Sequence, residues 1–379
     1  MKKTFVFTPG PTSVRENVRL KRAEQCTNPD LDLNFYEFYK DTCLNIADII
    51  KTKNDVFILN GEGILGLEAA CASLTEPGDR VLIIDNGIFG NGFGDFVKIY
   101  GGNPIYYSRN NKEEINIKDL RSFLEKDNNF KYATVVHCDT PTGMLNDISK
   151  ICPLLKEFNI LTVVDSVAAM GGEELKVDDW KIDIVLGGSQ KVFSAPSGLT
   201  IVSISEDAYK IMDNRKNPIS SFYCNLTIWR NYYKNKWFPY TMPISDIKAF
   251  RVAIENILEE GIDNVITRHK VNADSVRQAL QNYGLKLFID KGRSNTVTAV
   301  ELPNNIDGDE FVTYIYDKYN LLISSSFGFV KGKIIRIGHM GENSNKEKII
   351  YVFSILEKAF REFGYKSEKS LVTEFLKII

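Results

Sequence analysis

Between about residues 55 and 205, short apolar runs alternate with segments of helical periodicity, and this alternation limits the folds open to the chain. The runs predict strands at Val56–Leu59, Arg80–Asp85, Pro104–Tyr107, Tyr132–Cys138, Ile160–Asp165, Ile182–Leu186 and Leu199–Ser203. The segments between them predict helices at Leu65–Leu74, Phe93–Tyr100, Ile117–Glu125 and Lys150–Phe158. Strands that each lead into a helix favour a mostly parallel sheet with helices on both faces. The predicted fold class is therefore α/β.

The C-terminal part of the chain has a different pattern. One long amphipathic region covers about residues 245–280 with a break at Gly261. After it, the pattern predicts strands at Thr296–Glu301, Leu321–Ser325 and Ile334–Ile337 and helices at Asp309–Tyr319 and Lys346–Phe363. This order is typical of a smaller α+β domain. For the 379 residues we predict an N-terminal segment at 1–20, a large domain at 21–260 and a small C-terminal domain at 261–379.

Charge and cysteine usage narrow the class of protein. The formal net charge is −2 and the basic residues are dispersed, so we expect neither a nucleic-acid partner nor an anionic membrane surface. No apolar run approaches the roughly 20 residues that span a bilayer, and the N-terminal apolar stretch is short for a signal peptide. The six cysteines form no CxxC pair and are typical of buried thiols in a reducing compartment. We expect a cytoplasmic protein.

Polar and small residues follow several of the predicted strands. They are Gly61-Glu62-Gly63, Asn86-Gly87, Asp139-Thr140, Asp165 and Ser189-Gln190-Lys191. In open α/β sheets, ligands bind beyond the carboxyl ends of the strands. The sequence therefore predicts a ligand site that these residues share.

Lys191 follows an apolar strand and a loop of small residues, Gly187-Gly188-Ser189-Gln190. A lysine at such a strand end can face a cleft, where partial desolvation would lower its pKa. The neutral amine is the nucleophile that Schiff-base formation needs. A surface lysine is the ordinary alternative, so this interpretation depends on the neighbouring residues.

Asp165 ends the apolar run Leu161-Thr162-Val163-Val164. Such a carboxylate can be a helix cap or turn residue. It can also hold the protonated nitrogen of a pyridine ring, which then draws electrons from the substrate α-carbon. Val167 could then lie against one ring face and Phe89 could stack on the other.

Other residues are candidates for binding anionic groups. Gly61-Glu62-Gly63 lies between a strand and a helix, where backbone N–H groups favour anions. Thr140, Gln190 and Thr241 could donate further hydrogen bonds to a phosphate or a ring hydroxyl. Arg336 lies inside an apolar strand, where it needs either a protein carboxylate or a substrate carboxylate as its partner. His339 receives no catalytic role, and no metal-ligand spacing is present.

Taken together, these motifs resemble the class V aminotransferases, and especially their alanine–glyoxylate and serine–pyruvate branch. The resemblance runs over essentially the whole chain and rests on Thr8-Pro9-Gly10-Pro11-Thr12, Asp165-Ser166-Val167, Gly188-Ser189-Gln190-Lys191 and Arg336-Ile337-Gly338-His339-Met340-Gly341. It implies PLP fold type I, with a seven-stranded, mostly parallel sheet in the large domain. It also implies a homodimer with shared active sites, and pyridoxal 5′-phosphate as the cofactor.

The resemblance also implies roles for individual residues. Lys191 matches the Schiff-base lysine, Asp165 the pyridinium partner and Arg336 the binder of the substrate carboxylate. Pro9-Gly10 matches the segment that lines the substrate site. The predicted cofactor contacts are Glu62, Gly63, Ile64, Phe89, Thr140, Val167, Gln190 and Thr241, the last supplied by the partner subunit.

Two positions depart from the family pattern. Glu62 stands where a small hydroxyl residue is common, and Phe238 where a tyrosine is common. A carboxylate about 4 Å from a phosphate charge is repelled by roughly 4 kcal/mol at an effective dielectric constant near 20. Glu62 and several motifs are also similar to pyridoxamine–pyruvate transaminase, which takes unphosphorylated pyridoxamine as a substrate, whereas Gln190 keeps the phosphate-binding pattern.

We therefore predict an aminotransferase that moves an amino group from a small donor to pyruvate or glyoxylate by a ping-pong reaction. The first alternative is a pyridoxamine–pyruvate transaminase, in which pyridoxal and pyridoxamine are substrates. A lyase or desulfurase is a further alternative, with Cys224 as the only loose candidate for a reactive thiol. The last alternative is a non-catalytic binding protein with the same fold.

Overall fold

A seven-stranded sheet forms the centre of the computed structural model, which describes residues 4–379. The predicted N-terminal segment begins at residues 1–3, which lie outside the described part. The strands are β1 (Phe5–Val6), β2 (Asp55–Asn60), β3 (Arg80–Asp85), β4 (Asn103–Ser108), β5 (Tyr132–Val136), β6 (Cys138–Asp139), β7 (Met144–Leu145), β8 (Leu161–Asp165), β9 (Ile184–Gly188), β10 (Leu199–Ile204), β11 (Lys286–Leu287), β12 (Thr298–Glu301), β13 (Leu321–Leu322), β14 (Ser324–Ser325) and β15 (Ile334–Ile337).

Helices pack around this sheet and continue through the C-terminal part. They are α1 (Glu16–Arg22), α2 (Leu33–Ile49), α3 (Gly63–Leu74), α4 (Ile88–Ile99), α5 (Ile117–Leu124), α6 (Ile148–Glu157), α7 (Glu206–Asp213), α8 (Tyr232–Asn235), α9 (Ile244–Glu260), α10 (Ile262–Tyr283), α11 (Gly308–Tyr319), α12 (Lys346–Glu362) and α13 (Leu371–Leu376). Three 3₁₀ turns lie at Leu226–Trp229, Gly328–Val330 and Gly341–Asn343.

The central sheet has the strand order β2-β10-β9-β8-β5-β3-β4. Every neighbouring pair is parallel except the two pairs that contain β10, which is antiparallel to both β2 and β9. Strands β5, β8, β9 and β10 are buried along their whole length, as apolar runs covered on both faces should be. The predicted α/β fold with a mostly parallel seven-stranded sheet is confirmed.

Several predicted bounds shift for local reasons. Helix α3 begins at Gly63 rather than Leu65, because the Glu62 carboxylate accepts a hydrogen bond from the Ile64 backbone N–H at 3.3 Å and caps the helix. Helix α4 begins at Ile88 instead of residue 93. The predicted strand to Cys138 ends at Val136, because the chain turns into the short hairpin of β6 and β7.

A second sheet of four antiparallel strands, β11-β12-β15-β14, lies in the C-terminal part. It packs in a hydrophobic core separate from the core of the large sheet. Helix α10 contributes to both, with Val265 in the first core and Val276 and Leu280 in the second. The N-terminal strand β1 pairs with β13, and Phe7 is buried in the second core. The domain bounds at residues 20 and 260 stay predictions.

The cysteines partly follow the prediction. Five of the six thiols are buried, whereas Cys26 is exposed near the start of the chain and corrects the expectation that all are interior. None is in a disulfide. Among residues 4–379, no helix combines the length and apolarity needed to cross a bilayer.

Candidate active site

A cavity of about 210 Å³ opens at the carboxyl edge of the large sheet. We call it the edge cavity. It is lined by Glu62, Gly63, Ile64, Leu67, Phe89, Cys138, Thr140, Asp165, Val167, Ala168 and Lys191. Eight of these eleven residues belong to the predicted site, and they come from the ends of β2, β3, β5, β8 and β9. The parallel strands therefore bring together residues that are up to 129 positions apart in the sequence.

Lys191 lies in the loop that follows β9. Its Nζ donates a hydrogen bond to the backbone carbonyl of Pro9 at 2.7 Å. Burial lowers the pKa of Lys191 to about 8, and the nearby Arg336 guanidinium adds to the effect. A substantial fraction of the amine is therefore neutral at mildly alkaline pH, which makes Lys191 an available nucleophile.

The N-terminal segment from Phe5 to Thr12, which we call the strap, holds the Lys191 loop in place. Thr12 donates its backbone N–H to the Gln190 carbonyl at 3.0 Å and its hydroxyl to the Lys191 carbonyl at 2.9 Å. Gly10 has a φ of +102°, and a Cβ there would lie 2.3 Å from Cδ of Lys191. The strap can pass this close to the lysine only because residue 10 has no side chain.

Asp165 ends β8, and its side chain is almost fully buried. Burial raises the pKa of this carboxyl to about 7, while the backbone N–H of Val167 and the charge of Lys191 act in the opposite direction. The N–H of Val167 reaches Oδ1 at 2.9 Å. A buried carboxyl with so little compensation favours a cationic partner inside the cavity, such as a protonated ring nitrogen.

Two apolar side chains flank the space beside Asp165. Val167 packs so closely against the start of α3 that a Cβ on Gly63 would lie 2.8 Å from Val167 Cγ2. Phe89 is the second residue of α4, and its backbone N–H donates to Oδ1 of Asp139 at 3.0 Å. Asp139 is buried, so it fixes the backbone that carries the Phe89 ring. An aromatic ligand ring would therefore meet apolar groups on both faces.

Arg336 lies in β15 and reaches the rim of the edge cavity at Thr140. Its Nε donates to the Ser325 carbonyl at 2.7 Å, and its Nη1 is 3.5 Å from the Thr140 carbonyl. No ion pair joins it to any carboxylate of the described residues, so the alternative of a protein ion pair is not what the structure shows. Burial lowers the pKa of Arg336 to about 10, against the opposing charge of Asp139. A substrate carboxylate would supply the missing anion.

Glu62 lies at the opposite end of the edge cavity, at the start of α3. Its Oε1 accepts from Gln190 Nε2 at 3.0 Å, and its Oε2 accepts from the Ile64 N–H. The side-chain amide oxygen of Gln190, Oε1, is buried and has no hydrogen-bond partner among the described residues. The carboxylate thus occupies the donors that were predicted to hold a phosphate. We call this region the Glu62 end, and the region around Lys191, Asp165 and Arg336 the Lys191 end.

Two residues predicted near a phosphate lie elsewhere in this chain. Thr241 is exposed and does not line the edge cavity, so its predicted role depends on a partner subunit. Phe238 is buried in the large core and stacks on Tyr36 with ring centroids 4.5 Å apart. Its aromatic ring therefore serves packing within its own subunit.

Some lining residues were not predicted. Leu67, Cys138 and Ala168 border the edge cavity, and the Pro9 carbonyl binds the lysine amine. Cys138 and Ala168 follow the ends of β5 and β8, which is the only signal that could have found them. Cys224, the loose candidate for a desulfurase, is buried and does not line this cavity.

All three histidines are buried and hydrogen-bonded outside the cavity lining. Burial lowers the pKa of His137 to about 3, that of His269 to about 4 and that of His339 to about 3. They are therefore neutral at physiological pH. His339 bonds the Thr298 hydroxyl at 2.7 Å, in keeping with a structural position.

Comparison with known proteins gives the same assignment over nearly the whole chain. The family described as "Aminotransferase class-V" matches residues 20–334. The serine–glyoxylate aminotransferase of Arabidopsis thaliana is 32% identical, with 95% of this chain and 91% of that one covered. The pyridoxamine–pyruvate transaminase of Mesorhizobium japonicum is also 32% identical, with 96% and 93% covered.

A solved structure extends this similarity to three dimensions. The ureidoglycine–glyoxylate aminotransferase of Bacillus subtilis superposes with a TM-score of 0.96 at 29% identity, covering 100% of this chain and 98% of that one. The side chains at the Lys191 end and the topology of the central sheet agree with the family match. The chain is an enzyme and belongs to the class V aminotransferases.

Proposed function

We propose that this enzyme transfers an amino group from a small amino donor to a 2-oxo acid such as pyruvate or glyoxylate. One observation carries the proposal: the Lys191 amine, the Asp165 carboxyl and the unpaired Arg336 guanidinium converge at one end of the edge cavity. Two of the relatives described above are named for glyoxylate and one for pyruvate, which supports an acceptor of this class.

The family implies pyridoxal 5′-phosphate as the cofactor, and the Lys191 end fits its pyridine ring. Asp165 would hold the ring nitrogen, Val167 and Phe89 would flank the ring, and Lys191 would attach it. When bound, the cofactor acts as an electron sink that weakens the bonds at the donor α-carbon. At the Glu62 end, a phosphate would need the exposed Glu62 side chain to rotate away from Gln190 and Ile64.

Lys191 has two tasks in this proposal. Its amine would hold the cofactor by the aldehyde carbon, with release of water, until an amino donor takes its place. The free amine would then accept the proton of the donor α-carbon and donate it again, as general base and then general acid. Burial lowers the pKa of the cofactor-free amine, which favours the neutral, nucleophilic form that attachment needs.

Arg336 would orient the substrate, and Asp165 would polarise the cofactor ring. The free face of the Arg336 guanidinium binds the carboxylate that donor and acceptor share, which places the α-carbon beside Lys191. Asp165 keeps the ring nitrogen protonated, and its buried position makes that pairing strong. The strap contacts the lysine through the Pro9 carbonyl, which would hold the amine in place.

We also propose that the enzyme is a cytoplasmic homodimer with shared active sites. The resemblance assigns Thr241 to the site of a partner subunit, and its exposed position leaves it available for such a contact. Its free cysteines are typical of a reducing compartment. Sedimentation velocity of the purified protein tests the dimer, and a monomer at micromolar concentration would contradict it.

A half-reaction screen tests the proposed function. The cofactor-loaded enzyme is followed by absorbance while amino acids, aminoethylphosphonate and pyridoxamine are added one at a time. A productive donor converts the spectrum to that of the amine form, and pyruvate or glyoxylate restores it. Lys191→Ala should lose the lysine-bound spectrum and at least about 10³-fold in turnover. An unchanged spectrum in that variant would remove the central assignment, and Lys112→Ala, at a surface ion pair, is the control.

Glu62 favours a second candidate function, in which unphosphorylated pyridoxamine is itself the amino donor. A carboxylate held by Gln190 and the Ile64 N–H is suited to accept a hydrogen bond from a hydroxymethyl group, whereas it repels a phosphate. In this candidate, pyruvate receives the amino group and pyridoxal is released. Lys191, Asp165 and Arg336 keep the roles given above.

Spectral titration of the cofactor-free protein separates the two candidates. Tight binding of pyridoxal with weak binding of pyridoxal 5′-phosphate supports pyridoxamine as a substrate. The reverse order supports a resident phosphorylated cofactor.

A further inference from the structure

Phe327 lies at the Lys191 end, between the ring of Phe89 and the guanidinium of Arg336. We propose that Phe327 is a specificity-determining residue, which gives the substrate side of this end an apolar wall. This wall selects amino donors and 2-oxo acids that carry one carboxylate and an uncharged side chain, and it disfavours dicarboxylic substrates. The inference rests on the proposed amino transfer and names its substrate class.

The ring of Phe327 contacts both neighbours. Its centroid is 6.2 Å from that of Phe89, and the two planes meet at 84°, an edge-to-face arrangement. The Cζ atom of Arg336 lies 5.8 Å from the Phe327 ring centroid. Phe327 is 44% exposed, so part of this residue remains accessible beside Arg336.

The backbone around Phe327 is fixed on both sides. The Ser326 hydroxyl donates to the Pro141 carbonyl at 3.0 Å, and Ser326 is buried. On the other side, a Cβ on Gly328 would lie 2.9 Å from Ile88 Cδ1, which shows how tightly this turn packs on the start of α4. Arg336 is held beside the same segment, because its Nε donates a hydrogen bond to the Ser325 carbonyl. The backbone that carries Phe327 is therefore fixed, and the contacts of its ring with Phe89 and Arg336 define the position of this wall.

The charges at this end leave a second substrate carboxylate without a partner. Among the residues that line the described edge cavity, Lys191 is the only lysine or arginine. In the proposed reaction its amine binds the cofactor and transfers a proton, so it does not pair with a second carboxylate. Arg336 is the cation at the rim and binds the first carboxylate. A second carboxylate would meet the aromatic ring of Phe327 and the negative charge of Asp139, which lies near Arg336. Desolvating an anion against the negative face of an aromatic ring is unfavourable.

Phe329 provides a matched control. It lies two residues away on the same turn and is 43% exposed, but its ring faces Phe288 at a centroid distance of 6.5 Å. Substitutions at Phe329 therefore perturb the same turn without changing the neighbours of Arg336.

The test compares Phe327→Arg and Phe327→Ala with Phe329→Arg and Phe329→Ala. For each holoenzyme, the half-reaction gives the ratio of kcat/KM for L-alanine to that for L-aspartate. A second readout, independent of turnover, is the calorimetric affinity of the holoenzyme for butyrate relative to succinate. We expect the wild type to prefer alanine and butyrate, Phe327→Arg to lower both ratios at least about tenfold, and the Phe329 variants to leave them within about twofold.

Unchanged ratios in Phe327→Arg, or an equal change in Phe329→Arg, would overturn the inference. Failure of the proposed function is distinguishable: no amino acid would then react with the wild type, while the butyrate and succinate affinities would still report on Phe327. A wild type that prefers succinate would overturn the inference even if amino transfer is confirmed.

Discussion

The two ends of the edge cavity differ in how their charges are arranged. At the Lys191 end, a lysine with a lowered pKa, a buried aspartate and an unpaired arginine each lack the partner that a ligand would supply. At the Glu62 end, the glutamate already occupies the donors of Gln190 and Ile64. The first end is complementary to the ring and carboxylates of the family reaction, whereas the second is complete without a ligand anion.

This difference indicates that substitutions at the Glu62 end can change which ligand binds while the residues of the Lys191 end keep their positions. Asp165 and Lys191 follow directly from buried strands of the central sheet, so their positions are set by the core. Glu62 is an exposed side chain outside the core, so its contacts are the α3 cap and the hydrogen bond from Gln190 and not core packing. The predictions below test the two ends separately, beginning with the largest expected effect.

Asp165→Asn should reduce turnover by on the order of 10²–10³-fold. The amide keeps the shape of the side chain and can accept from the Val167 N–H, but it cannot hold a protonated ring nitrogen by charge. Steady-state kinetics with the best donor from the screen gives the loss. The lysine-bound spectrum should persist, since Lys191 is intact, and wild-type turnover in the variant would contradict the role of Asp165.

The same substitution should stabilise the cofactor-free protein in a pH-dependent way. Because burial raises the pKa of Asp165 to about 7, the folded wild type keeps a proton that the unfolded chain releases above about pH 4. The wild type therefore loses stability relative to the variant between about pH 4 and 7, by roughly 1–4 kcal/mol, and the difference is constant above that range. Urea unfolding at pH 5 and pH 8 measures it, and a pH-independent difference would be evidence against a buried, protonated carboxyl.

Gly10→Ala should slow turnover by about ten- to a hundredfold, because the new methyl group would displace the Lys191 side chain. Two other glycines separate the causes. Gly78→Ala has a positive φ of +87° but open space, and Gly92→Ala has open space at an ordinary helical position. Both should keep near wild-type turnover, and equal losses in Gly78→Ala and Gly10→Ala would mean that backbone strain, not contact with Lys191, is responsible.

Glu62→Gln should raise the affinity for pyridoxal 5′-phosphate about tenfold, because it removes a negative charge from the Glu62 end. Affinity for pyridoxal should change much less. The control is Glu68→Gln, the other carboxylate of α3, which binds the Tyr100 hydroxyl at 2.8 Å. If the affinity for pyridoxal 5′-phosphate relative to that for pyridoxal is unchanged, the charge of Glu62 does not determine which ligand binds. The two ends of the edge cavity would then not differ in the way described.

Much of the central sheet could be predicted because buried parallel strands are continuous apolar runs. The predicted bounds of β3 (Arg80–Asp85) and β15 (Ile334–Ile337) match the structure. Helix α2 (Leu33–Ile49) has no predicted counterpart, although Tyr36, Tyr39 and Cys43 follow helical spacing. Aromatic residues are also common in strands, so the pattern is ambiguous in sequence.

The candidate site was predictable where residues follow strand ends and less so where contacts are distant in sequence. Lys191 and Asp165 meet at the sheet edge because β8 and β9 are adjacent and parallel. The Pro9 carbonyl contact, the hydrogen bond between Gln190 and Glu62 and the Phe327 wall depend on three-dimensional packing of segments far apart in the chain. No local signal in the sequence specifies them.

The reversed direction of β10 has a consequence for the size of the ligand. Because β10 lies between β2 and β9, Glu62 and Gln190 emerge from strands two positions apart, a lateral separation of roughly 10 Å at the usual strand spacing. Because β10 is reversed, it begins at that edge of the sheet. Near its start, the Thr200 hydroxyl lies within hydrogen-bond distance of the backbone carbonyls of Gly61 and Glu62, at 2.9 and 2.7 Å. β10 therefore fixes the distance between the strand ends that carry Glu62 and Gln190, whereas their side chains, joined by a 3.0 Å hydrogen bond across it, determine how much of that width a ligand can use.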